Sequence, residues 1–305
     1  MLKAFEVFGR EGGIRKTAQH IGVDPAIVSR HLRGLEESLG TALIDRTGGS
    51  YRLTPDGATY HARVSGALRE IADATATLRT RDKKNLILWC APGLAYHWLG
   101  RKLAEFTRQN PEIEIEFRPS DRPPDFNTNE ADADVRYLRT GDEGKIRHGL
   151  RALEIARPPV FPVASPGYLA RLDGAVKAPA ALLRQTLLHE DCDQEWRDWL
   201  QAHGVTIEGR LPGPRFWHAH VSLDAARDGQ GIALGNHLLL GDDLQRGRLV
   251  SVFSGDDPAP VLTLGSYHVI GREDRWNQLS LVRLRQWLSA AIQAAAEDRS
   301  STDLA

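Results

Sequence analysis

Residues 13–40 carry the pattern that most constrains the fold, because they hold two amphipathic helical repeats separated by one glycine turn. In "GIRKTAQHIG", three apolar residues share one side of a short helix: Ile14, Ala18 and Ile21. In "VDPAIVSRHLRGLEESLG", apolar residues recur at spacings of four, three and four: Val28, Leu32, Leu35 and Leu39. Asp24 can cap the second helix at its start, Pro25 suits its first turn, and Gly40 can end it. The sequence therefore predicts a helix-turn-helix unit.

The outer face of the second helix is polar and cationic near its start. It carries Ser29, Arg30 and Arg33, with Ala26 in the first turn. Residues 1–80 hold 11 Lys and Arg against 9 Asp and Glu, while residues 81–305 hold 28 against 31, so the balance is slightly positive only in the first part. Such a face suits the major groove of DNA. The same pattern also fits a surface helix whose charges are simply solvated.

A β-hairpin is predicted next to this unit. The segment "LIDRTGGSYRLT" alternates around a Gly-Gly turn, which is typical of a small wing. Arg46 and Arg52 flank the turn, where they would meet phosphate groups or the minor groove.

The first 57 residues also carry an ordered set of residue types beyond the helical pattern. The set is Phe5, Ala18, Val28, Ser29, Arg30, Leu35, Glu36, Leu39, Gly40, Arg46, Leu53, Thr54 and Gly57. In this order and spacing the region resembles the N-terminal winged helix-turn-helix of LysR-type transcriptional regulators. It departs from the family at Gly13-Ile14, at Ile44 and at Pro25, and proline offers no side-chain donor to a base. The resemblance implies double-stranded DNA as a partner and the following contact residues: Ala26, Ser29, Arg30, Arg33, Arg46 and Arg52.

A long helix is predicted over "PDGATYHARVSGALREIADATATLRT". Its apolar residues follow a heptad-like stripe: Val64, Leu68, Ile71, Thr75 and Leu78. A narrow stripe on so long a helix needs a partner, which is either the rest of this chain or a second copy. The resemblance favours a dimerising linker helix that uses Val64, Leu68, Ile71 and Leu78, in a homodimer or homotetramer.

From Leu86 onward the pattern alternates between strands and helices. Strands are predicted at "LILWCA", "IEIEFRP", "ADVRYL" and "LTLGSYHVIG", and helices at "WLGRKLAEFTRQNP", near 178–185, 194–203, 222–228 and 240–246, and at "LSLVRLRQWLSAAIQAAAE". Three further strings, "DADVRYLRTGD", "FPVASPGYLAR" and "DAARDGQGIALGNHLLLGDDLQRGRLV", resemble the effector-binding domain of the same family and suit its glycine-cleavage-activator-like branch. The predicted fold is thus α/β: a winged helix-turn-helix, a long linker helix and a two-lobed effector domain of periplasmic-binding-protein type.

The predicted domains follow these patterns. Residues 1–57 form the DNA-binding domain and residues 58–85 the linker helix with its hinge. The effector domain spans 86–305, with lobe I at 86–160 and 266–305 and lobe II at 161–265.

Candidate effector residues are those near the carboxyl ends of strands and the starts of helices, where such folds bind ligands. Tyr96 and His97 follow the first strand of the effector domain. In lobe II the candidates are His189 and the segment "FWHAH", with Phe216 and His218, while Arg136 or Arg118 could pair with an anionic ligand. Packing roles in the core are an equal alternative for each of them.

Other kinds of chemistry receive less support. The strings "HEDCDQE" and "HAH" hold metal-ligand residue types, and Cys90 or Cys192 could respond to oxidants, yet ordinary helix-start charges and a buried thiol explain them as well. No G-x-S-x-G, phosphate loop or H-E-x-x-H motif is present. An α/β enzyme with an accessory DNA-binding domain stays as the alternative function, and no cofactor is expected.

The expected function is that of a sequence-specific transcriptional regulator. No run of about 18 apolar residues occurs, and the start of the chain lacks a secretion-signal pattern, so we expect a cytoplasmic location and no membrane partner. A small-molecule effector between the lobes would alter the DNA-bound conformation, with RNA polymerase as a further candidate partner.

Overall fold

The computed structural model describes residues 1–46, 51–79, 84–142, 144, 146–172, 174, 176–253 and 262–302. The chain separates into two compact units. The first comprises residues 1–82 with 125–130, and the second comprises 83–124 with 131–305. Within the described part of the chain, no helix is both long and apolar enough to cross a membrane.

Short helices build most of the first unit. They are α1 (Leu2–Glu11), α2 (Ile14–Ile21) and α3 (Pro25–Leu39). The Asp24 side chain caps α3 by accepting a 2.7 Å hydrogen bond from the Ala26 backbone N–H. Gly22 and Gly40 end α2 and α3 in the left-handed conformation, with φ of 70° and 63°. The predicted helix-turn-helix is confirmed, together with its caps.

The core of the first unit is a single apolar cluster. Its buried members are Phe5, Phe8, Ala18, Val28, Leu32, Leu35, Leu43 and Ile44. Ile14 and Ile21 pack partly against this cluster. Leu39, the last member of the apolar stripe that the spacing predicts, does not share the burial of the other three and is 42% exposed, because it is the last residue of α3 before the chain turns at Gly40.

A hairpin and a long helix follow α3 in this unit. Strands β1 (Ile44–Asp45) and β2 (Arg52–Leu53) pair antiparallel, so the strands of the predicted wing are present. The Gly-Gly turn at residues 48–49 lies outside the described residues. Helix α4 (Pro55–Arg79) follows, as predicted.

Residues 125–130 also belong to the first unit, which the sequence analysis did not predict. They contain a 3₁₀ turn, Phe126–Thr128. Arg10 of α1 donates a 2.5 Å hydrogen bond to Asp125, and both side chains are at least nine-tenths buried. Asn127 donates to the Glu6 carboxylate at 3.3 Å. Burial raises the pKa of Glu6, with Arg10 opposing the shift.

Two sheets form the second unit. The five-stranded sheet consists of β3 (Lys84–Cys90), β4 (Ile113–Pro119), β5 (Ala133–Arg139), β6 (Leu150–Ala156) and β11 (Gly265–Arg272), in the order β4-β3-β5-β11-β6. Strand β3 runs parallel to β4 and β5, while β11 runs antiparallel to β5 and β6. The other sheet consists of β7 (Val160–Ala164), β8 (Leu187–Leu188), β9 (Ile232–Asn236) and β10 (Val250–Ser251), in the order β10-β7-β9-β8. We name the parts built on these sheets lobe I and lobe II, respectively.

Helices cover both sheets. In lobe I they are α5 (Pro92–Leu94), a π-helical turn (Ala95–Leu99), α6 (Gly100–Gln109) and α11 (Leu279–Thr302). In lobe II they are α7 (Pro166–Arg171), a 3₁₀ turn (Pro179–Arg184), α8 (Gln194–Ala202), α9 (Ala219–Arg227) and α10 (His237–Leu240). The helix expected at 240–246 was placed too late. Asn236 caps α10 instead, and the helix ends at Gly241, whose φ is 55°.

Candidate DNA-binding face and effector cleft

The polar face of α3 and the wing border one groove in the first unit. The groove is lined by Ile14, Ser29, Leu32, Arg33, Ile44, Arg46 and Tyr51. Arg33 lies one turn from Ser29 and donates a 3.3 Å hydrogen bond to its hydroxyl. Three predicted DNA contacts, Ser29, Arg33 and Arg46, thus meet at one surface. Ala26, Arg30 and Arg52 are exposed but lie outside the groove lining.

Glu36 ties the wing to α3. Its carboxylate accepts hydrogen bonds from the backbone N–H groups of Leu43 and Ile44 at 2.9 and 3.0 Å, and from Arg46 at 2.6 Å. Burial alone would raise the pKa of Glu36, but these three partners outweigh it and lower the pKa. Arg46, whose side chain is 43% exposed, is thereby held in the groove lining.

The predicted dimerisation stripe on α4 is not equally accessible. Val64 is buried within the first unit, Leu68 is half-buried, and Ile71 is 62% exposed. The Leu78 side chain lies outside the described residues, although α4 extends past it. Ile71 is therefore the described member of the stripe with the most surface to offer a second copy.

A cleft between the two lobes forms a concave site in the described second unit. Its cavity volume is about 130 Å³. Lobe I contributes Ala91, Pro92, Gly93, Leu94, Asp121, Tyr137 and Tyr267, and lobe II contributes Val160, Glu190, Glu195, Trp217, His218, Ala219, Leu234, Gly235, Asn236 and Leu239. Many of these residues lie at strand ends or helix starts, as expected for a two-lobed α/β domain.

Among the predicted effector residues, His218 lies in the cleft lining together with Trp217 and Ala219 of the same predicted segment "FWHAH". It lies just before α9, and its Nδ1 is 3.2 Å from the Asp121 carboxylate. The segment "HAH" is not a strand, because α9 begins at Ala219. The His218 and His220 rings nevertheless stack with centroids 5.2 Å apart.

Tyr96 and His97 lie in the π-helical turn beside the cleft rather than in its lining. Tyr96 is 55% exposed and packs edge-on against His97, with ring centroids 5.0 Å apart. His97 is 6% exposed, and its Nε2 has no hydrogen-bond partner among the described residues. Burial, assisted by the nearby Arg227 charge, lowers the pKa of His97 to about 4.

His189 and Phe216 occupy packing positions in lobe II. His189 is 2% exposed, and its Nε2 lies 2.9 Å from the Pro212 carbonyl oxygen. Burial lowers the pKa of His189. Phe216 packs against the apolar cluster that includes Leu223 and Leu240. Both residues are outside the cleft lining.

The two arginines considered for an anionic ligand are engaged elsewhere. Arg136 donates to the Asp134 carboxylate at 2.7 Å and to the backbone carbonyl oxygens of residues 120–122. It thereby fixes the turn that carries Asp121 into the cleft. Arg118 lies on β4, pairs with Glu116 and has a side chain that is 48% exposed.

Neither cysteine lies in the cleft lining, and no metal cluster is found in the described chain. Burial raises the pKa of the Cys90 thiol well above its usual value, and Cys192 is half-buried. The described residues contain no group of three or more His, Cys, Asp or Glu that could hold a metal ion.

Sequence reasoning missed most of the cleft. Asn236 closes β9 and caps α10, and its Nδ2 donates to the Tyr267 hydroxyl at 3.4 Å. Its position at a strand end was a usable signal. Trp217 lies inside the predicted segment "FWHAH", although the sequence analysis did not single it out. It is 69% exposed and has φ of 65°, an unusual backbone conformation for a bulky residue.

Comparison with known proteins supports this architecture. Residues 1–58 match the family model for the bacterial regulatory helix-turn-helix protein of the lysR family, and residues 80–293 match the LysR substrate binding domain. The glycine cleavage system transcriptional activator of Escherichia coli K12 is 28% identical over 297 residues, covering 97% of this chain and 93% of the relative. The HTH-type transcriptional regulator y4mQ of Sinorhizobium fredii is 31% identical over 82% of this chain and 81% of the relative.

A solved structure agrees with the fold of the second unit. The effector domain of the transcriptional regulator AmpR of Pseudomonas aeruginosa superposes with a TM-score of 0.58 and 24% identity. The match covers 70% of this chain and 98% of that chain.

A winged helix-turn-helix joined to a two-lobed α/β domain defines a ligand-responsive transcriptional regulator as the class of protein. The chain belongs to the LysR family, with an N-terminal helix-turn-helix and a LysR effector-binding domain. These relatives are named as transcriptional regulators rather than enzymes, and the predicted kinship with the glycine-cleavage-activator branch is confirmed.

Proposed function

We propose that this regulator binds DNA in the cytoplasm through α3 and the β1–β2 wing, as a symmetric dimer or dimer of dimers. An effector held in the cleft would change the DNA-bound conformation. The observation that carries the DNA-binding part is the groove where Ser29, Arg33 and Arg46 meet, since it joins hydrogen-bonding and cationic groups of the helix and the wing. RNA polymerase contact and a dimer interface on α4 remain predictions.

The first experiment measures binding of the full chain to genomic fragments around its own gene, at several salt concentrations, followed by footprinting. A specific complex should protect a partly palindromic site, because a symmetric dimer reads two half-sites. A variant that no longer neutralises one phosphate should show a salt slope smaller by about one. Binding that is equal on all fragments would contradict sequence-specific regulation.

Single arginine variants then test the face. Arg30→Ala and Arg33→Ala should each weaken binding roughly tenfold, while the circular dichroism spectrum and thermal unfolding stay unchanged. Arg101→Ala is the matched control, because Arg101 is exposed on α6 in the second unit. Weakening of DNA binding in the control to the same degree would show a general charge effect instead of a defined DNA-binding face.

A further inference from the structure

The charged side chains that line the effector cleft all belong to acidic residues, apart from the titratable His218. They are Asp121, Glu190 and Glu195, and the described residues of the lining include no lysine or arginine. Arg136, which the sequence suggested for an anionic ligand, holds Asp134 and backbone carbonyl oxygens instead. An anion in the cleft would therefore be repelled by these carboxylates, and no lysine or arginine among the described lining residues would form an ion pair with it.

Among the three acidic residues of the lining, Glu190 has the fewest interactions that would stabilise its negative charge. Its side chain makes no hydrogen bond or ion pair with another residue of the described chain, and its backbone carbonyl oxygen accepts from the Trp217 N–H at 3.1 Å. The nearby cation, Arg139, is already paired with Asp191 at 3.0 Å and with Glu195 at 3.4 Å. Arg139 is thus shared by two carboxylates, and Glu190 forms no ion pair with it in the described chain. Burial, Glu195 and Asp191 together raise the pKa of Glu190 well above its usual value.

Two tyrosines offer hydroxyl groups beside this carboxylate. The Tyr137 hydroxyl is buried and has no hydrogen-bond partner within the described residues. Tyr267 is 3% exposed, and its hydroxyl accepts from Asn236 at 3.4 Å. The indole of Trp217 is 69% exposed at the cleft, and aromatic faces attract organic cations. A ligand that contacts Glu190 could thus also form hydrogen bonds with the tyrosine hydroxyl groups.

The volume and the apolar wall limit the rest of the ligand. A cavity of about 150 Å³ holds benzene, so the 130 Å³ cleft accommodates roughly six non-hydrogen atoms in this conformation. Pro92, Leu94 and Leu234 supply apolar surface for a short hydrocarbon body.

We propose that the cleft binds a small organic amine, with its ammonium group at the Glu190 carboxylate and its hydrocarbon body against Pro92, Leu94 and Leu234. This ligand class rests on the proposed role of the cleft as the effector site. The amine supplies the cation that the carboxylates lack, and a charge-assisted hydrogen bond in a partly buried site is stronger than a neutral one.

The test compares three probes of similar size in titration calorimetry with the full chain: cyclopentylamine, cyclopentanol and cyclobutanecarboxylate. Cyclopentylamine should bind at least about tenfold more tightly than either of the others. Glu190→Gln keeps the shape of the side chain and should remove this preference. Glu208→Gln is the matched control, since Glu208 is an exposed carboxylate of the same lobe outside the cleft, and it should keep the preference.

Proton release gives a second readout. Glu190 must be ionised to hold an ammonium group, so amine binding should release a proton and should tighten as pH rises until Glu190 is ionised without ligand. The other titratable or charged groups near Glu190 are Glu195, Asp191, Arg139, Tyr137 and Tyr267, and His218 lies in the same lining. Glu190→Gln should lose the proton release that depends on this carboxylate.

The outcomes separate the ligand class from the proposed function. Equal or tighter binding of the alcohol or the carboxylate, an amine preference that survives in Glu190→Gln, or no binding of any probe would overturn the amine proposal. Footprints with and without cyclopentylamine are scored separately. Amine binding through Glu190 that leaves the DNA complex unchanged would support the ligand class and contradict control of DNA binding by the cleft.

Discussion

Replacing His97 with phenylalanine should reduce the loss of stability on acidification. His97 is 6% exposed, and its pKa is lowered to about 4 in the folded protein from 6.5 for the unperturbed side chain. Between these values the unfolded chain binds more protons than the folded one, so stability falls as pH falls. The contribution of His97 to the free energy of unfolding is therefore fully present above about pH 6.5 and decreases as the pH falls toward 4.

The size of the effect follows from the two pKa values. At pH 5 the pH is about 1.5 units below the pKa of the imidazole in the unfolded chain, so that imidazole is mostly protonated. In the folded protein the imidazole is still mostly neutral at this pH. At about 1.4 kcal/mol per unit, acidification from pH 7 to pH 5 should cost roughly 2 kcal/mol through this residue alone. Phenylalanine keeps the ring that packs against Tyr96 and cannot titrate.

Urea unfolding of both proteins at pH 7 and pH 5, followed by circular dichroism, measures this difference. The wild-type chain should lose about 2 kcal/mol more than His97→Phe over the same interval. His148→Gln is the matched control, because His148 is exposed, and it should follow the wild type. Equal losses in the wild type and His97→Phe would refute the reasoning from burial.

Three further substitutions test other parts of the chain. Glu36→Gln weakens the bond to Arg46, so urea unfolding at pH 7 should show a loss of about 1 kcal/mol, and the difference from wild type should shrink as pH falls below the usual glutamate range. Arg10→Met leaves Asp125 without its buried cation and should cost about 3 kcal/mol by the same assay, whereas an unchanged midpoint would show that the pair contributes nothing. Ile71→Glu places a charge on the exposed part of the linker stripe and should lower the oligomer mass in sedimentation velocity; an unchanged mass would remove Ile71 from the interface.

Interactions between residues close in sequence explain why α3 was predictable. Asp24, Pro25 and Gly40 act through bonds within a few residues of each other, and the stripe from Val28 to Leu35 needs only helical geometry. The exposure of Leu39 was not predictable from apolar spacing, because the burial of a residue at a helix end depends on where the following chain runs.

The residues that line the cleft between the lobes were harder to predict, because they come together only in the tertiary structure. The alternation of strands and helices indicated two lobes, and the strand-end rule located His218 near the right surface. Glu190 and Trp217 meet there through a backbone hydrogen bond across 27 positions of chain, which no local pattern indicates. The role of Arg136 was more accessible. Asp134 and Arg136 are two residues apart on β5, so they share one face of the strand and form a local pair.

The short segment 125–130 has a consequence for dissecting this protein into fragments. Residues 83–305 expressed alone would carry Asp125 without Arg10 and would lack the α4 surface against which the Phe126–Thr128 turn packs. Phe126, only 7% exposed in the whole chain, would then be uncovered. A fragment of residues 1–82 would in turn keep Arg10 without its carboxylate and Glu6 without Asn127. Low stability of either fragment would therefore result from separating residues 125–130 from the rest of the first unit. It would not show that the intact unit is unstable.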